Sequence, residues 1–376
     1  MDDSRGALAG GLGGGGGAGA LAGDSSGVAT GTAGVAAGAA GAAGAAGAAG
    51  VVTIAVDAAG GDDAPRVVLE GVTQALAADS LLNIALVGRA EVVEPFALEH
   101  QGRVEAVCAS ESILMDEHPV QAVRSKKNSS IVVGCHLVKE GRADGFFSAG
   151  STGACMAAAT LHIGRVKGIS RPAIATLFPG PDAPVVFADI GANADAKPVY
   201  LLQFAQMSAA FAQHVLGIAE PRVGLLNIGE EPTKGSSLAQ EAYRLMEKRL
   251  VGFAGNAEGR DILTGRFDVI VTDGFTGNVV LKTIEGAAGV LFGRLKTALT
   301  ATPTRKLAAA TLKPALKELM ASLNAEEVGG APLLGLKGVC IIGHGSSSSR
   351  AIASGIAQSV RCVRQGLVEA IKKAVG

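Results

Sequence analysis

Eight short, almost unbroken apolar runs restrict this chain more than any other feature of its sequence. They are VVTIAVD (51–57), NIALVG (83–88), GFFSA (145–149), AIATLF (173–178), VVFADI (185–190), RVGLLNI (222–228), DVIVTD (268–273) and GVCIIG (338–343). Runs without polar alternation suit strands covered on both faces. Longer amphipathic stretches such as PVYLLQFAQMSAAFAQHVLG and SLAQEAYRLMEKRL separate them. That alternation predicts an α/β fold with a largely parallel sheet and helices on both faces. Most runs continue into Asp-, Gly- or Asn-rich text: VDAAGGDD, SAGSTG, DIGANAD, NIGEEPTKG, TDGFTGN and GHGSSSS. In a parallel sheet such ends lie along one edge, so six polar loops are expected to meet at one cleft.

The chain has 376 residues, 48% of them hydrophobic, which is ample for a large α/β unit. Aromatics are 3% with no Trp, so the core is built from Ala, Val, Leu and Ile. A formal net charge of -1 argues against a nucleic-acid binder driven by overall charge. The five cysteines are scattered without a CxxC pair and read as reduced, small core residues of a cytoplasmic protein.

Residues 1–50 stand apart. Their Ala-Ala-Gly repeats lack the proline of collagen. They bury too little apolar area for a membrane span, and no basic n-region or Leu-rich core marks a signal peptide. This segment is expected to be a disordered extension to an α/β domain over 51–376.

The strand rhythm stops between 279 and about 324. One helix carries Leu291, Leu295 and Leu299, Thr302-Pro303 interrupts, and a second carries Leu312, Leu316, Leu319 and Leu323. Between Val290 and Lys317 stand six basic residues (Arg294, Lys296, Arg305, Lys306, Lys313, Lys317) and no acidic one. A protruding hairpin with a solvated face fits this pattern. So does a contact surface for an acidic partner or anionic membrane.

The polar loops carry the candidate chemistry. Gly150-Ser151-Thr152-Gly153 opens a helix, where free N–H groups suit an anion, although a plain N-cap explains it equally. It is neither a Walker A loop nor a GxGxxG fingerprint. Asn193 and Lys197 stand in DIGANADAKP, Asn227, Glu230 and Lys234 in NIGEEPTKG, Asp273 and Asn278 in TDGFTGN, and His344, Gly345 and Ser346 in GHGSSSS. No GxSxG elbow is present. Lysines, amides and backbone N–H groups suit phosphate and a developing oxyanion better than a metal.

Nine blocks in order resemble the bacterial phosphate acyltransferase family: IAVDAAGGDDAPRVVLEG, SAGSTGACMAA, RPAIAT, DIGANADAKP, RVGLLNIGEEPTKG, NAEGRDILTG, VTDGFTGNVVLKTIEG, GGAPLLGLKG and HGSSSSRAI. Ala59, Ser151, Ser236 and Ser348 depart from the usual pattern and bear on fine specificity. The resemblance implies a fold like that of the isocitrate and isopropylmalate dehydrogenases and phosphotransacetylase. It implies acyl transfer from acyl carrier protein to inorganic phosphate, giving acyl phosphate for phospholipid synthesis. A homodimer with the hairpin near its interface is implied too, with no cofactor or metal required, and the acid-free basic run then points to peripheral contact with anionic membrane. On this reading Lys197 or Lys234 holds phosphate, and Asn193, Asn227 and Asn278 are oxyanion donors. His344 donates a proton or hydrogen bond. Asp57, Gly60, Gly61, Asp62, Ser151, Thr152, Gly153, Glu230, Asp273, Gly345 and Ser346 are expected to contact substrate. The rivals are a short-chain phosphotransacetylase acting on acyl-coenzyme A, a dehydrogenase of the shared fold, and a non-catalytic membrane-surface adaptor.

Overall fold

The computed structural model describes residues 50–322 and 329–376. The extension expected over 1–50 therefore lies outside the described residues except for Gly50, as do the last two residues of the 279–324 segment. The strands are β1 (Val52–Asp57), β2 (Leu82–Gly88), β3 (Val104–Cys108), β4 (Gly145–Ser148), β5 (Ala173–Phe178), β6 (Val185–Ala188), β7 (Val223–Leu226), β8 (Phe253–Ala257), β9 (Val269–Val271), β10 (Ala331–Leu334) and β11 (Val339–Ile342). The helices are α1 (Arg66–Ala78), α2 (Ala90–Glu99), α3 (Pro119–Ser125), α4 (Ser130–Lys139), α5 (Thr152–Ala158), α6 (Pro198–His214), α7 (Ser237–Arg249), α8 (Gly274–Thr300), α9 (Pro303–Ser322), α10 (Ser349–Arg364) and α11 (Leu367–Val375).

All eight apolar runs form strands of one sheet, ordered β3-β2-β1-β4-β11-β10-β5-β6-β9-β7-β8. Three further strands carried no such run. β3 and β8 are the two edges, where only one neighbour pairs and exposed polar residues such as Glu105 are tolerated. β10 is a four-residue strand containing Pro332.

The sheet is mostly parallel, but three junctions are antiparallel: β11–β10, β10–β5 and β5–β6. Three reversals in a row leave β6, β9, β7 and β8 running opposite to β1–β4 and β11. The polar loops therefore do not share one edge, as a wholly parallel sheet would require. They issue from two half-sheets whose C-terminal ends point towards each other. The register makes this workable. Ile341 pairs with Pro332 and Leu333 with Ile174, while Ala188 pairs with Ala175. The C-terminal end of β6 thus arrives beside the central strands, close to the level at which β11 ends.

Both faces of the sheet are covered, as the unbroken apolar runs demand. Along β1, Ile54 and Val56 face a core shared with α1, α6, α10 and α11, through Val68, Phe204, Ile352 and Ile371. Ala55 faces the other core, with Ile131 and Cys135 of α4 and Ala154 of α5. Full burial of each such large side chain is worth about 1.5–3 kcal/mol. Four of the five cysteines are buried in these layers. Burial pushes the Cys155 and Cys362 thiols up to about 12, which leaves them unreactive at neutral pH.

α8 spans 27 residues, about 40 Å at 1.5 Å per residue. Pro303 opens α9, where its missing N–H costs nothing. The helix continues through Pro314 and packs back on α8. Val290, Leu291, Leu295, Leu307 and Leu312 remain exposed on this pair. Among the described residues no helix is long and apolar enough to cross a membrane.

Candidate active site

Where the two half-sheets face each other, a cavity of about 770 Å³ opens beside β5, β10 and β11. Its first wall comes from the loops after β1, β4 and β11. Asp57 ends β1 and is buried, so it anchors this wall instead of reaching a substrate. The Ser148 hydroxyl donates to its Oδ2 at 2.7 Å, and the Ala59 N–H donates to Oδ1 at 2.9 Å. Burial raises its carboxyl pKa, while hydrogen bonds from Ser130, Ser148, Ala59 and Gly60 pull it back down. Gly60 is required here, because a Cβ would sit 2.7 Å from the Gly150 nitrogen. The Asp62 N–H donates to the Gly345 carbonyl at 2.8 Å, which ties the β1 loop to the β11 loop.

The β11 loop presents His344 and the serines at the start of α10. The Ser346 N–H donates to His344 Nδ1 at 3.3 Å, and the Ser346 hydroxyl lies 2.8 Å from the same nitrogen. An N–H donor at Nδ1 places the proton of the neutral ring on Nε2. α10 starts beside the cavity edge formed by Ser346, Ser347 and Ala351, so its positive dipole end lies there, and Ser348 caps it by accepting from the Ala351 N–H at 3.3 Å.

The opposite wall is built on Asp189, which is fully buried at the end of β6. It accepts from the N–H groups of Ile174 (3.0 Å), Gly191 (3.4 Å), Ala192 (3.1 Å) and Asn193 (2.7 Å), and from Asn193 Nδ2 (2.9 Å). Burial lifts this carboxyl's pKa and those donors oppose the lift. Its effect is to fix the loop that leads into Gly191. That loop meets the start of α8, where Gly274 donates to the Asn193 carbonyl at 2.8 Å. Asp273 caps α8 by accepting from the Thr276 N–H at 2.9 Å and its hydroxyl at 2.7 Å.

Of the residues singled out from sequence, Asp62, Thr152, Asn278, His344, Gly345 and Ser346 line the cavity. Gly60, Gly61 and Asp57 stand directly behind this wall, Ser151 caps α5 beneath it, and Gly153 packs against Pro119. The three asparagines separate clearly. Asn193 spends its amide on Pro172 and Asp189, and Asn227 donates to the Lys234 carbonyl at 3.1 Å within its own loop. Asn278 lines the cavity with no hydrogen bond to its amide among the described residues. Asp273 serves as a cap and Glu230 pairs with Arg266 at 2.6 Å, neither lining the cavity. Lys197 and Lys234 are exposed on loops of the second half-sheet and do not line it either.

The lysine that does line it is Lys282, paired with Glu285 at 2.8 Å. Its position four residues after Asn278, one helical turn on, was the available signal in TGNVVLK. Among the described residues one carboxylate group has ligand-like spacing, with oxygens of Glu230, Glu258 and Asp261 within 4.8 Å of one another. Arg260 and Arg266 already bridge these carboxylates.

A family profile described as "Fatty acid synthesis protein" matches residues 52–370. The chain is 51% identical over 323 residues to a phosphate acyltransferase of Desulfitobacterium hafniense, covering 85% of this chain and 96% of that one. It is 47% identical to a phosphate acyltransferase of Bacillus licheniformis, covering 86% and 98%. Among solved structures, a branched-chain phosphotransacylase from Enterococcus faecalis superposes with a TM-score of 0.53 at 14% identity, covering 83% of this chain and 99% of that one. A phosphotransacetylase from Staphylococcus aureus gives 0.51 at 18%, covering 85% and 94%. At that identity the structural likeness speaks for the fold alone.

Proposed function

The chain belongs to the phosphate acyltransferase family and is an enzyme that transfers acyl groups to phosphate for lipid synthesis, and from that premise we propose that its donor is the thioester of acyl carrier protein. The observation that carries the reading is the cavity itself, where an amide, an imidazole, a lysine and the start of a helix meet an apolar floor. Phosphate lies at the polar end, against the start of α10 and the Thr152 side, with its charge balanced by Lys282 of α8. The enzyme aims one phosphate oxygen at the thioester carbonyl, and proximity supplies much of the rate. As the tetrahedral oxyanion forms, the Asn278 amide donates to it, and so does Nε2–H of His344. The carbon–sulfur bond then breaks, and the thiolate needs little help from a general acid because it is a good leaving group. No step calls for a metal or cofactor.

Phosphate-dependent consumption of long-chain acyl carrier protein, with acyl phosphate as product, tests this reading. Use of acetyl-coenzyme A in preference would favour a short-chain phosphotransacetylase. Lys282→Ala is expected to lose most turnover at subsaturating phosphate without losing the fold, since Lys282 is an exposed residue at the cavity wall. Near wild-type turnover would return the counter-charge to Lys197 or Lys234, whose loops would then have to reach the cavity.

The finer architecture belongs to the same proposal. Residues 51–376 form one catalytic domain of the isocitrate/isopropylmalate dehydrogenase type, and α8 with α9 forms a protruding hairpin. The exposed apolar side chains of that hairpin support a homodimer interface along it. Its acid-free basic run supports peripheral contact with anionic membrane at the cytoplasmic surface. Each basic residue near such a surface is worth about 1 kcal/mol, screened by salt. The double variant Arg305→Glu, Lys306→Glu is therefore expected to sediment less with anionic vesicles while dimerising normally. Unchanged sedimentation would make the run a solvated face.

A further inference from the structure

The arginines of α10 take no part in the chemistry above. Arg350, Arg361 and Arg364 rim a groove of about 460 Å³ between α1 and α10, and Asp79 is the one carboxylate lining it among the described residues. Arg364 is committed to that carboxylate, with contacts of 2.7 and 3.2 Å. Three guanidiniums against one carboxylate leave the lining positive. The floor is apolar and built from small side chains. α1 contributes Ala75 and Ala78, α10 contributes Ala353 and Ala357, and Leu82 is buried at the far end. Arg350, Ala353, Ala357, Arg361 and Arg364 recur at spacings of three and four, so they share one face of α10. From Arg350 to Arg361 that face runs three helical turns, about 16 Å.

The same helix borders the catalytic cavity. Ala351 lines the cavity and its neighbour Arg350 lines the groove. Gly329 of the cavity packs on Ser354 of the groove, where a glycine Cβ would meet the serine Cβ at 2.7 Å. One turn of α10 separates the two sites. Resting on the carrier-protein reading above, we propose that this groove is where the acyl carrier protein docks, with an acidic helix of the carrier laid along α10 between Arg350 and Arg361. A carrier protein is acidic and helical, and its thioester hangs from a long phosphopantetheine arm. It needs a seat outside the cavity but close to its mouth. The start of α10 puts the groove there. Opposite charge speeds the encounter and fixes the register. The alanine trough admits the ridge of side chains that a helix presents.

The test measures binding of holo-acyl carrier protein at low salt, by fluorescence anisotropy, to the wild type and to groove variants. Arg361 and Ala357 are exposed, so both can be changed without disturbing the core. Arg361→Glu is expected to weaken binding about tenfold or more, and Arg361→Lys to restore most of it. Ala357→Phe, which fills the groove without changing its charge, is expected to weaken binding as well. In turnover with phosphate, KM for palmitoyl carrier protein rises while kcat holds, and kcat/KM for palmitoyl-coenzyme A stays at the wild-type value. Folded Arg361→Glu and Ala357→Phe enzymes that bind the carrier as the wild type does overturn the docking site. So does an equal loss with both donors, which would place these residues in the fold or the chemistry. Loss of dimerisation or of vesicle sedimentation with carrier affinity intact would give the groove to another occupant and overturns it too. A wild-type enzyme that forms acyl phosphate from palmitoyl-coenzyme A but not from the carrier protein overturns the donor reading and the docking site with it.

Discussion

Asn278→Ala is expected to lower kcat for phosphate-dependent acyl transfer by about 10²–10³-fold, the usual consequence of removing one preorganised oxyanion donor. Asn278 lies in the first turns of α8, beyond the Asp273 cap, so its backbone is held whether or not the amide is present. Its side chain is exposed to the cavity and has no hydrogen bond within the described residues, so truncation leaves no orphaned partner. The melting temperature is therefore expected to stay close to that of the wild type. The loss should appear in kcat and kcat/KM alike, because the interaction forms only as charge develops on the oxygen. Asn193→Ala offers the contrast. That amide is committed to Pro172 and Asp189, and its loss should destabilise the loop before it affects chemistry. Equal turnover in Asn278→Ala and wild type, at saturating donor and phosphate, would remove Asn278 from the reaction.

The second large effect is on stability. Asp189→Ala removes one acceptor group that serves four backbone N–H groups and one side-chain amide in a fully buried position. Each buried donor left without a partner costs about 1–3 kcal/mol, so the variant should be destabilised by about 3 kcal/mol or more. Asp189→Asn keeps one acceptor oxygen but turns an NH₂ towards the donors on the other side, so it should recover only part of the loss. Gly274 and Gly277 pack directly against Asp189, which leaves no room for a larger compensating side chain. Chemical denaturation of the two variants measures this. An Asp189→Ala protein as stable as wild type would mean that water takes over the carboxylate's hydrogen bonds.

The eight strands were legible because a strand buried on both faces must be apolar at nearly every position. The edge strands β3 and β8 escaped, since a strand with one free edge is under no such demand. Loop chemistry was legible as residue type but not as placement. Asn193, Asn227 and Asn278 look alike in sequence, each in a Gly-rich strand end, yet two are spent on holding loops and one lines the cavity. Lys282 sits inside a helix, one turn beyond the strand-end loop, where nothing in the local pattern marks it as facing the cavity.

Sequence alone determined the α/β class, the strand-end loops as the seat of chemistry, and the family blocks that name the reaction. Each follows from local rules: side-chain period, turn chemistry and motif order. Tertiary structure alone decided that the sheet reverses direction through β10, β5 and β6, so that two sets of strand ends oppose each other around one cavity. It also decided which polar residues face that cavity. Strand direction depends on which strands become neighbours. That pairing is set by long-range packing between segments more than a hundred residues apart, such as β5 and β10, and no local pattern records it.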